Sequence, residues 1–259
     1  MDDLFSGDVL KGKLSIVTGG GRGLGRFMAL ALARAGSDVV LTARSDKEIG
    51  LVAQEISGLG RNALPLRADI TKVEDVALMV ERVKSEFRAV DILVNNAGQN
   101  ASYAHQRFED IPDTEWREMI ETNVNGVFLV TKFVGAIMLQ QGKGSVVNIA
   151  SSFGVKAIPT RICYSVSKAA VIQMTRSLAV EWASRGVRVN CIAPGSFDLF
   201  PDSRDEAYLG MNEERKRRVP MGRLGRPEEL GPLLVYLASD ASDYVTGEVV
   251  FIDGGLAAT

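Results

Sequence analysis

Apolar and polar positions along this chain fall into two alternating patterns. Short, continuous apolar runs rich in β-branched residues occur at Lys13 to Thr18, Asp38 to Thr42, Val90 to Val94, Ser145 to Ala150, Val187 to Ile192 and Glu248 to Ile252. Strands covered by helices on both faces read this way, because neither face meets water. Between them lie segments with helical spacing. Small and apolar residues recur from Leu24 to Ala35, and Gly36 follows as a stop. Ser45-Asp46-Lys47-Glu48 has the spacing of a capping box and opens a helix towards Leu59. Thr71-Lys72-Val73-Glu74 repeats that signature before a helix to about Phe87. Further helices are predicted over about 114–141, 164–185 and 228–238.

This alternation predicts an α/β fold, a doubly wound parallel sheet flanked by helices. No low-complexity linker or compositional break divides it, so residues 1–259 read as a single domain. The irregular stretch is 196–226, with Pro201, Gly210, Pro220, Gly222 and Gly225. It carries the mixed run Glu213 to Arg218, in which Glu213/Arg217 and Glu214/Arg218 fall at i,i+4, the pattern of a solvated helix face. A long irregular segment late in such a domain reads as a lid over the substrate.

Composition narrows the function. Lys and Arg number 30 against 32 Asp and Glu, a net charge of −2, so there is no basic surplus of the kind that neutralises nucleic-acid phosphates. No run approaches the ~18 uninterrupted apolar residues of a membrane span. The start, Met1-Asp2-Asp3-Leu4-Phe5, lacks the basic and apolar regions of a secretory signal. Cys163 and Cys191 are too few and too far apart for a disulfide framework or a cysteine-based zinc site, and no metal site is expected. The expectation is a cytoplasmic protein.

The first strand runs into Thr18-Gly19-Gly20-Gly21-Arg22-Gly23-Leu24-Gly25. Glycines let the backbone approach a ligand closely, and the helix that follows offers free N–H groups to a pyrophosphate. The Thr-Gly-x-x-x-Gly-x-Gly spacing resembles that of the short-chain dehydrogenase/reductase family. Asn95-Asn96-Ala97-Gly98 matches the family's Asn-Asn-Ala-Gly, Tyr164 to Lys168 its Tyr-x-x-x-Lys, and Ser151 stands thirteen residues before Tyr164. Asn123, Pro194-Gly195 and the closing Asp253-Gly254-Gly255 also fit, so the likeness spans about residues 10–255.

The resemblance implies a Rossmann-type domain with a central seven-stranded parallel sheet, a nicotinamide dinucleotide cofactor and a homotetramer. It implies cofactor contacts from Thr18, Gly19, Gly21, Arg22, Gly23, Leu24, Gly25, Arg44, Ala68, Asp69, Ile70, Asn96, Ala97, Gly98, Tyr164, Lys168, Pro194 and Gly195. At the end of the second strand Ala43 stands where NAD-specific members carry an acid, and Arg44 follows. A guanidinium grips a 2′-phosphate that a carboxylate would repel, so NADP(H) is expected, with NAD(H) possible if Asp46 reaches the ribose. Asp69 has a second reading as a helix-capping acid.

Reduction of a carbonyl builds alkoxide character on oxygen and needs a proton donor beside it. A tyrosine holds its proton at neutral pH unless nearby positive charge stabilises the phenolate. Lys168, four residues after Tyr164, lies on the same helix face. The resemblance therefore makes Tyr164 the general acid/base and gives Lys168 the nicotinamide ribose. Ser151 would hydrogen-bond the substrate oxygen, and Asn123 would support a water relay. Ser151, Phe153, Tyr164 and Phe197 are expected at the substrate, with Val155 and Tyr208 as further apolar lining.

Leu199 occupies the position where the family often has a threonine that anchors the nicotinamide carboxamide. His105 is an ordinary loop residue or borders the pocket. Cys163 faces the pocket or packs. Lys156 and Arg161 meet an anionic substrate or serve as surface, and Trp116 and Trp182 pack or contact a partner subunit. The implied function is oxidoreduction of a small-molecule carbonyl or secondary alcohol. A 3-oxoacyl-[acyl-carrier-protein] reductase is the specific alternative, weakened by neutral Val180, Gln140 and Gln141 where such reductases meet their acidic carrier. A non-catalytic NADP(H) sensor is the alternative of another class.

Overall fold

The computed structural model describes residues 8–99 and 107–259. Seven parallel strands form one sheet: β1 (Leu14–Thr18), β2 (Asp38–Ala43), β3 (Ala63–Arg67), β4 (Ile92–Asn95), β5 (Gly144–Ile149), β6 (Val187–Pro194) and β7 (Val249–Ile252), in the order β3-β2-β1-β4-β5-β6-β7. The helices are α1 (Gly23–Arg34), α2 (Asp46–Gly58), α3 (Val73–Glu86), α4 (Asp113–Ile120), α5 (Gly126–Gln141), α6 (Ile162–Trp182), α7 (Glu206–Arg218) and α8 (Leu230–Ala238). The order reverses between β1 and β4. A crevice opens there at the carboxyl ends of the strands, the place where doubly wound sheets bind their ligands.

Alternation within the strands builds a core on each face. Val17, Leu41 and Val94 point to one side and pack with Met28, Leu32, Ile49, Leu230 and Leu234. Ile16, Val40, Leu93 and Val146 point to the other, with Val76, Val83, Val134, Met138 and Trp182. Polar side chains also lie inside. Asn95 Nδ2 donates to Thr131 Oγ1 and Asn148 Oδ1, both at 2.8 Å, and Asn148 Nδ2 donates to Thr175 Oγ1 at 2.9 Å. This ladder ties β4 and β5 to α5 and α6 in one register. Buried polar groups joined this way are costly to shift, because any slip leaves donors without partners.

Several local expectations change. β3 is an edge strand interrupted by Pro65 and only half-buried, so no continuous apolar run marks it. The Ser45 cap forms, its Oγ accepting from Glu48 N at 3.3 Å. The second capping box does not: α3 has Lys72 at its N-cap without a side-chain cap, and Thr71 Oγ1 instead donates to Asp69 Oδ1 at 2.8 Å. Asp69 captures the threonine before the helix starts. Within the segment read as irregular, residues 206–218 form α7, started by the Asp205 side chain accepting from Ala207 and Tyr208 N–H. On its surface Glu214 pairs with Arg218 as expected, but Glu213 pairs with Lys216 rather than Arg217.

α4 and α5 are one continuous 29-residue helix broken by a π-helical segment, Glu121–Asn125. No run of ~18 uninterrupted apolar residues occurs in it, but by length and mean hydropathy it is apolar enough to cross a membrane. Its apolar residues Val127, Val130, Val134 and Met138 are instead buried in the domain core.

Candidate active site

The glycine loop is fixed by its neighbours at the ends of β1 and β4. Thr18 Oγ1 accepts from the N–H groups of Asn96 and Ala97, both at 3.0 Å. Asn96 Nδ2 donates back to the carbonyls of Thr18 at 2.9 Å and Gly19 at 3.2 Å. Asn96 thus holds the loop through its side chain. A Cβ on Gly25 would stand 2.1 Å from the Gly19 carbonyl oxygen, so only glycine lets α1 begin this close to the loop. Gly23 has φ +53, and nothing nearer than Leu199 Cδ1, at 3.8 Å, faces its missing side chain. The N-terminus of α1 has no side-chain cap and no acid in its first turn. Its free N–H groups therefore open onto a cleft of about 1400 Å³.

The glycine loop from Gly21 to Gly25 lines this cleft, as do Gly19, Arg44, Ala68 to Ile70 and Asn96 to Gly98. Thr18, Tyr164, Lys168, Pro194 and Gly195 do not. Thr18 is spent on the scaffold, Pro194 is the buried last residue of β6, and Gly195 packs against Asp253. Trp116, expected to pack or contact a partner, lines the far wall with Arg117 and Thr122. Sequence spacing gave no signal for this, because α4 reaches the cleft only through the tertiary fold.

Arg44 is exposed at the cleft mouth, directly after β2. Arg22 is 80% exposed and lies 3.8 Å from Glu48. Asp46 faces Arg67 at 4.0 Å, and Arg67 Nε donates to the Arg44 carbonyl at 3.2 Å. Asp69 does not cap α3, whose N-cap is Lys72. It lines the cleft, and its Oδ1 accepts from Thr71 N–H at 3.0 Å. Burial alone would raise its carboxyl pKa, but the Thr71 hydrogen bonds and the Arg44 charge outweigh burial and lower it.

On the other side of the crevice β5 delivers Ser151, whose Oγ accepts from Phe153 N–H at 3.2 Å. Tyr164 and Lys168 are one turn apart near the start of α6. Burial raises the Tyr164 phenol pKa, while hydrogen bonding with Ser151 and the Arg161 charge pull it down. Lys168 Nζ donates to the Ile149 carbonyl at 2.8 Å and lies 5.8 Å from the centre of the Tyr164 ring. Burial lowers its pKa to about 8. Asn123 is fully buried in the π-helical turn. Its Oδ1 accepts from Gln99 N–H at 2.7 Å, and its Nδ2 donates to Ser167 Oγ at 3.0 Å. A Cβ on Gly98 would stand 3.0 Å from Asn123 Oδ1 and 3.6 Å from Lys168 Nζ, so the glycine lets these two side chains meet the end of β4.

Not every expected residue joins them. Phe197 is 7% exposed and belongs to the hydrophobic core, its ring filling the space left by Gly225. It packs beneath the 196–226 segment and is not free substrate lining. The Tyr208 hydroxyl donates to Asp198 Oδ1 at 2.7 Å and accepts from Leu199 and Phe200 N–H, so it ties the 196–226 segment together. Lys156 Nζ is occupied by the Leu256 carbonyl and Thr259 Oγ1. Phe153 is half-buried and Val155 exposed beside Ser151. Cys163 packs with Met119, Ile111 and Tyr164, and Trp182 is core. His105 lies outside the described residues.

This arrangement has close counterparts. Residues 19–257 match the family described as Enoyl-(Acyl carrier protein) reductase. The chain is 36% identical to a 3-oxoacyl-[acyl-carrier-protein] reductase of Thermotoga maritima over 95% of its own length and 98% of the relative. It is 37% identical to a 2-dehydro-3-deoxy-D-gluconate 5-dehydrogenase of Bacillus subtilis, over 98% of this chain and 97% of the other. Among solved structures, a gluconate 5-dehydrogenase from Burkholderia cenocepacia in complex with NADP and tartrate superposes with a TM-score of 0.88 at 32% identity, over 98% of both chains. A short-chain type dehydrogenase/reductase from Mycobacterium marinum superposes at 0.89 with 37% identity, again over 98% of both chains. With its seven-stranded sheet, its glycine loop and this likeness over nearly its whole length, the chain belongs to the short-chain dehydrogenase/reductase family of oxidoreductases.

Proposed function

We propose that this protein is an NADP(H)-dependent oxidoreductase that interconverts a carbonyl and a secondary alcohol, with Tyr164 as general acid/base. The observation that carries this reading is the grouping of Ser151, Tyr164 and Lys168 beside the cleft, with Lys168 Nζ 5.8 Å from the centre of the Tyr164 ring and 3.6 Å from where a Cβ on the cleft-lining Gly98 would stand. The cleft fits a dinucleotide phosphate on its own features. The uncapped start of α1 receives the pyrophosphate, and Arg44, with no acid at Ala43, receives a 2′-phosphate. Bound there, the nicotinamide supplies or accepts the hydride.

The chain's own residues handle the proton. In reduction the Tyr164 hydroxyl gives its proton to the substrate oxygen, and in oxidation the phenolate takes it back. Ser151 Oγ–H donates a hydrogen bond to that oxygen. Lys168, still mostly protonated at neutral pH with its pKa near 8, stabilises the phenolate electrostatically. Asn123, held by Gln99 and Ser167, positions the Gly98 backbone and with it the end of β4.

Tyr164→Phe tests the reading. Turnover should fall about 10²- to 10⁴-fold while NADPH affinity, measured by fluorescence titration, stays within about 3-fold. Retained turnover would assign the proton to another group. The same variant separates an enzyme from a sensor, since a sensor shows no turnover to lose.

The 3-oxoacyl-[acyl-carrier-protein] reductase reading has its support in the Thermotoga maritima relative. Val180 is 85% exposed and uncharged on α6, which leaves an acidic carrier without the cation this reading needs. The proposal extends to a cytoplasmic homotetramer. Two unpaired cysteines suit a reducing compartment, and exposed Phe128 on α5 and Val166 on α6 suit subunit contacts. Light scattering on the purified protein should return about four times the 27.9 kDa chain mass.

A further inference from the structure

Ser151 stands outside the sheet that delivers it. β5 ends at Ile149, and the next residue, Ala150, gives its N–H to the Ile192 carbonyl at 2.8 Å. Ser151 then serves as N-cap of a single 3₁₀ turn, Ser152–Gly154, closed by Gly154 N–H on the Ser151 carbonyl at 2.9 Å. A lone turn of this kind holds itself weakly and takes its orientation from what it is fastened to.

Two attachments fasten it. On one side Gly154 lies against α6, where an added Cβ would stand 2.8 Å from Ile172 Cδ1 and 3.0 Å from the Lys168 carbonyl oxygen. On the other is Ser152, 1% exposed, whose hydroxyl donates to Asp253 Oδ2 at 2.9 Å, with the Pro194 carbonyl oxygen 3.4 Å away. Asp253 directly follows β7, and its own chain orients it. Its Oδ1 accepts from Gly255 N–H at 2.9 Å and its Oδ2 from Ala257 N–H at 2.7 Å. Gly195 makes the approach possible, since a Cβ there would stand 2.6 Å from Asp253 Cβ. Lys156, just past the turn, donates to the Leu256 carbonyl at 2.9 Å and to Thr259 Oγ1 at 2.7 Å, a second tie between the same two segments. A hydroxyl on a carboxylate is a strong hydrogen bond, and removing the acceptor leaves a buried donor unpaired directly beside Ser151.

We propose that Asp253, which lies outside the cleft, is a positioning residue for the reaction: through the Ser152 hydroxyl it fixes the turn that aims Ser151 Oγ at the substrate oxygen. The inference rests on the oxidoreductase reading above and adds to it a residue that acts through two others. A displacement of about 1 Å at a group that orients a reacting atom is enough to slow turnover by orders of magnitude. Ser151 also draws the Tyr164 pKa down against burial. A misplaced Ser151 therefore lets that pKa rise, and alcohol oxidation, which needs the phenolate, then reaches its plateau at higher pH.

The test uses S152A, D253N and the double variant, with crystal structures of wild type and S152A. S152A removes one oxygen and carries the test if D253N folds poorly. In the S152A crystal, Ser151 Oγ should move by at least about 0.5 Å from its wild-type place. Oxidation is followed as NADPH formation on whichever of gluconate, glycerol and cyclohexanol wild type turns over fastest. Each single variant should lose at least about 5-fold in kcat, with KM for NADP⁺ within about 2-fold, and its pH–kcat limb should shift up by about 0.5 unit or more. The double variant should stay within about 2-fold of the worse single one, because both changes break one bond. A wild-type position of Ser151 in the S152A crystal would overturn the inference, whatever the substrates do. So would a fall in kcat that follows Tm while the pH limb stays in place, the mark of a merely structural bond. Turnover lost in Y164F but unchanged in S152A would sink this inference alone, whereas turnover kept in Y164F would sink the oxidoreductase reading of Tyr164 beneath it.

Discussion

The two ends of the crevice handle their polar groups in opposite ways. At the glycine-loop end, Thr18 and Asn96 satisfy one another's backbone and side chain, and the loop is closed on itself before any ligand arrives. Across the crevice, Arg161 is half-buried three residues ahead of Tyr164, and the charges that act on it from α7, Arg215 and Arg218, are cations like itself. The first end is a finished part of the fold, stabilised by internal hydrogen bonds and glycine packing. The second keeps a half-buried cation among like charges, with no carboxylate among the groups that act on it. A rigid cradle for a common cofactor asks for the first solution.

The comparison sharpens first at the cradle. Arg44→Asp keeps the loop intact but replaces the cation at its mouth with an anion. The ratio of kcat/KM for NADP(H) to that for NAD(H) should fall about 100-fold, and a ratio within about 3-fold of wild type would show that Arg44 is a bystander. A smaller effect is expected from Lys168→Met, which removes activity but also a buried charge. Burial lowers the Lys168 pKa from 10.5 to about 8. Between those values the unfolded chain binds a proton that the folded one lacks, so the Lys168 contribution grows more favourable as pH rises through that window. Below it, the folded state carries the cost of a buried ammonium. Lys168→Met should therefore raise Tm by about 2–4 °C at pH 7, and the gain should vanish near pH 10.5. A gain that is flat with pH would mean the lysine is not held charged at a cost.

The smallest effect should come from Leu199, which bridges the two ends. Its Cδ1 stands 3.8 Å from the position a Gly23 side chain would occupy, and its N–H is held by Tyr208. Leu199→Ala should raise the KM for NADP(H) about 2- to 5-fold through lost apolar cover, with kcat little changed. A larger drop in kcat than in affinity would make this residue part of lid closure.

What was legible in the sequence follows the same division. The glycine loop, Asn96 and the Tyr164/Lys168 pair are local signals. Their meaning lies in short spacings, and the sheet topology only had to bring them to the same edge. The central strands were legible because burial on both faces forces a continuous apolar run. β3 was not, because an edge strand with Pro65 obeys no such rule. Phe197 looked like pocket lining because a phenylalanine after Pro194-Gly195 carries no mark of which way its ring turns. The space that takes that ring is left by Gly225, which is distant in sequence. α7 was hidden for a related reason. Only its second half, Glu213 to Arg218, reads as a solvated helix face; its first turns expose Leu209 and Met211, and the contacts that fix its inner face, Tyr208 and Asn212 on Asp198, are tertiary. The role of Trp116 in the cleft wall depends on where the π-helical turn falls in the long helix, which no local pattern records.

That π-helical turn has a geometric consequence of its own. The π-helical turn at Glu121–Asn125 lets one more residue into the rod than α-helical winding would allow. In an α-helix each residue advances the azimuth by about 100°. The turn therefore works as a phase shifter. Downstream, Val127, Val130 and Val134 keep their bearing on the sheet, while upstream Trp116 and Arg117 are swung round to look across the cleft. Excising a single residue between 121 and 125 would leave a straighter, better-bonded helix whose two halves could not both face their proper neighbours.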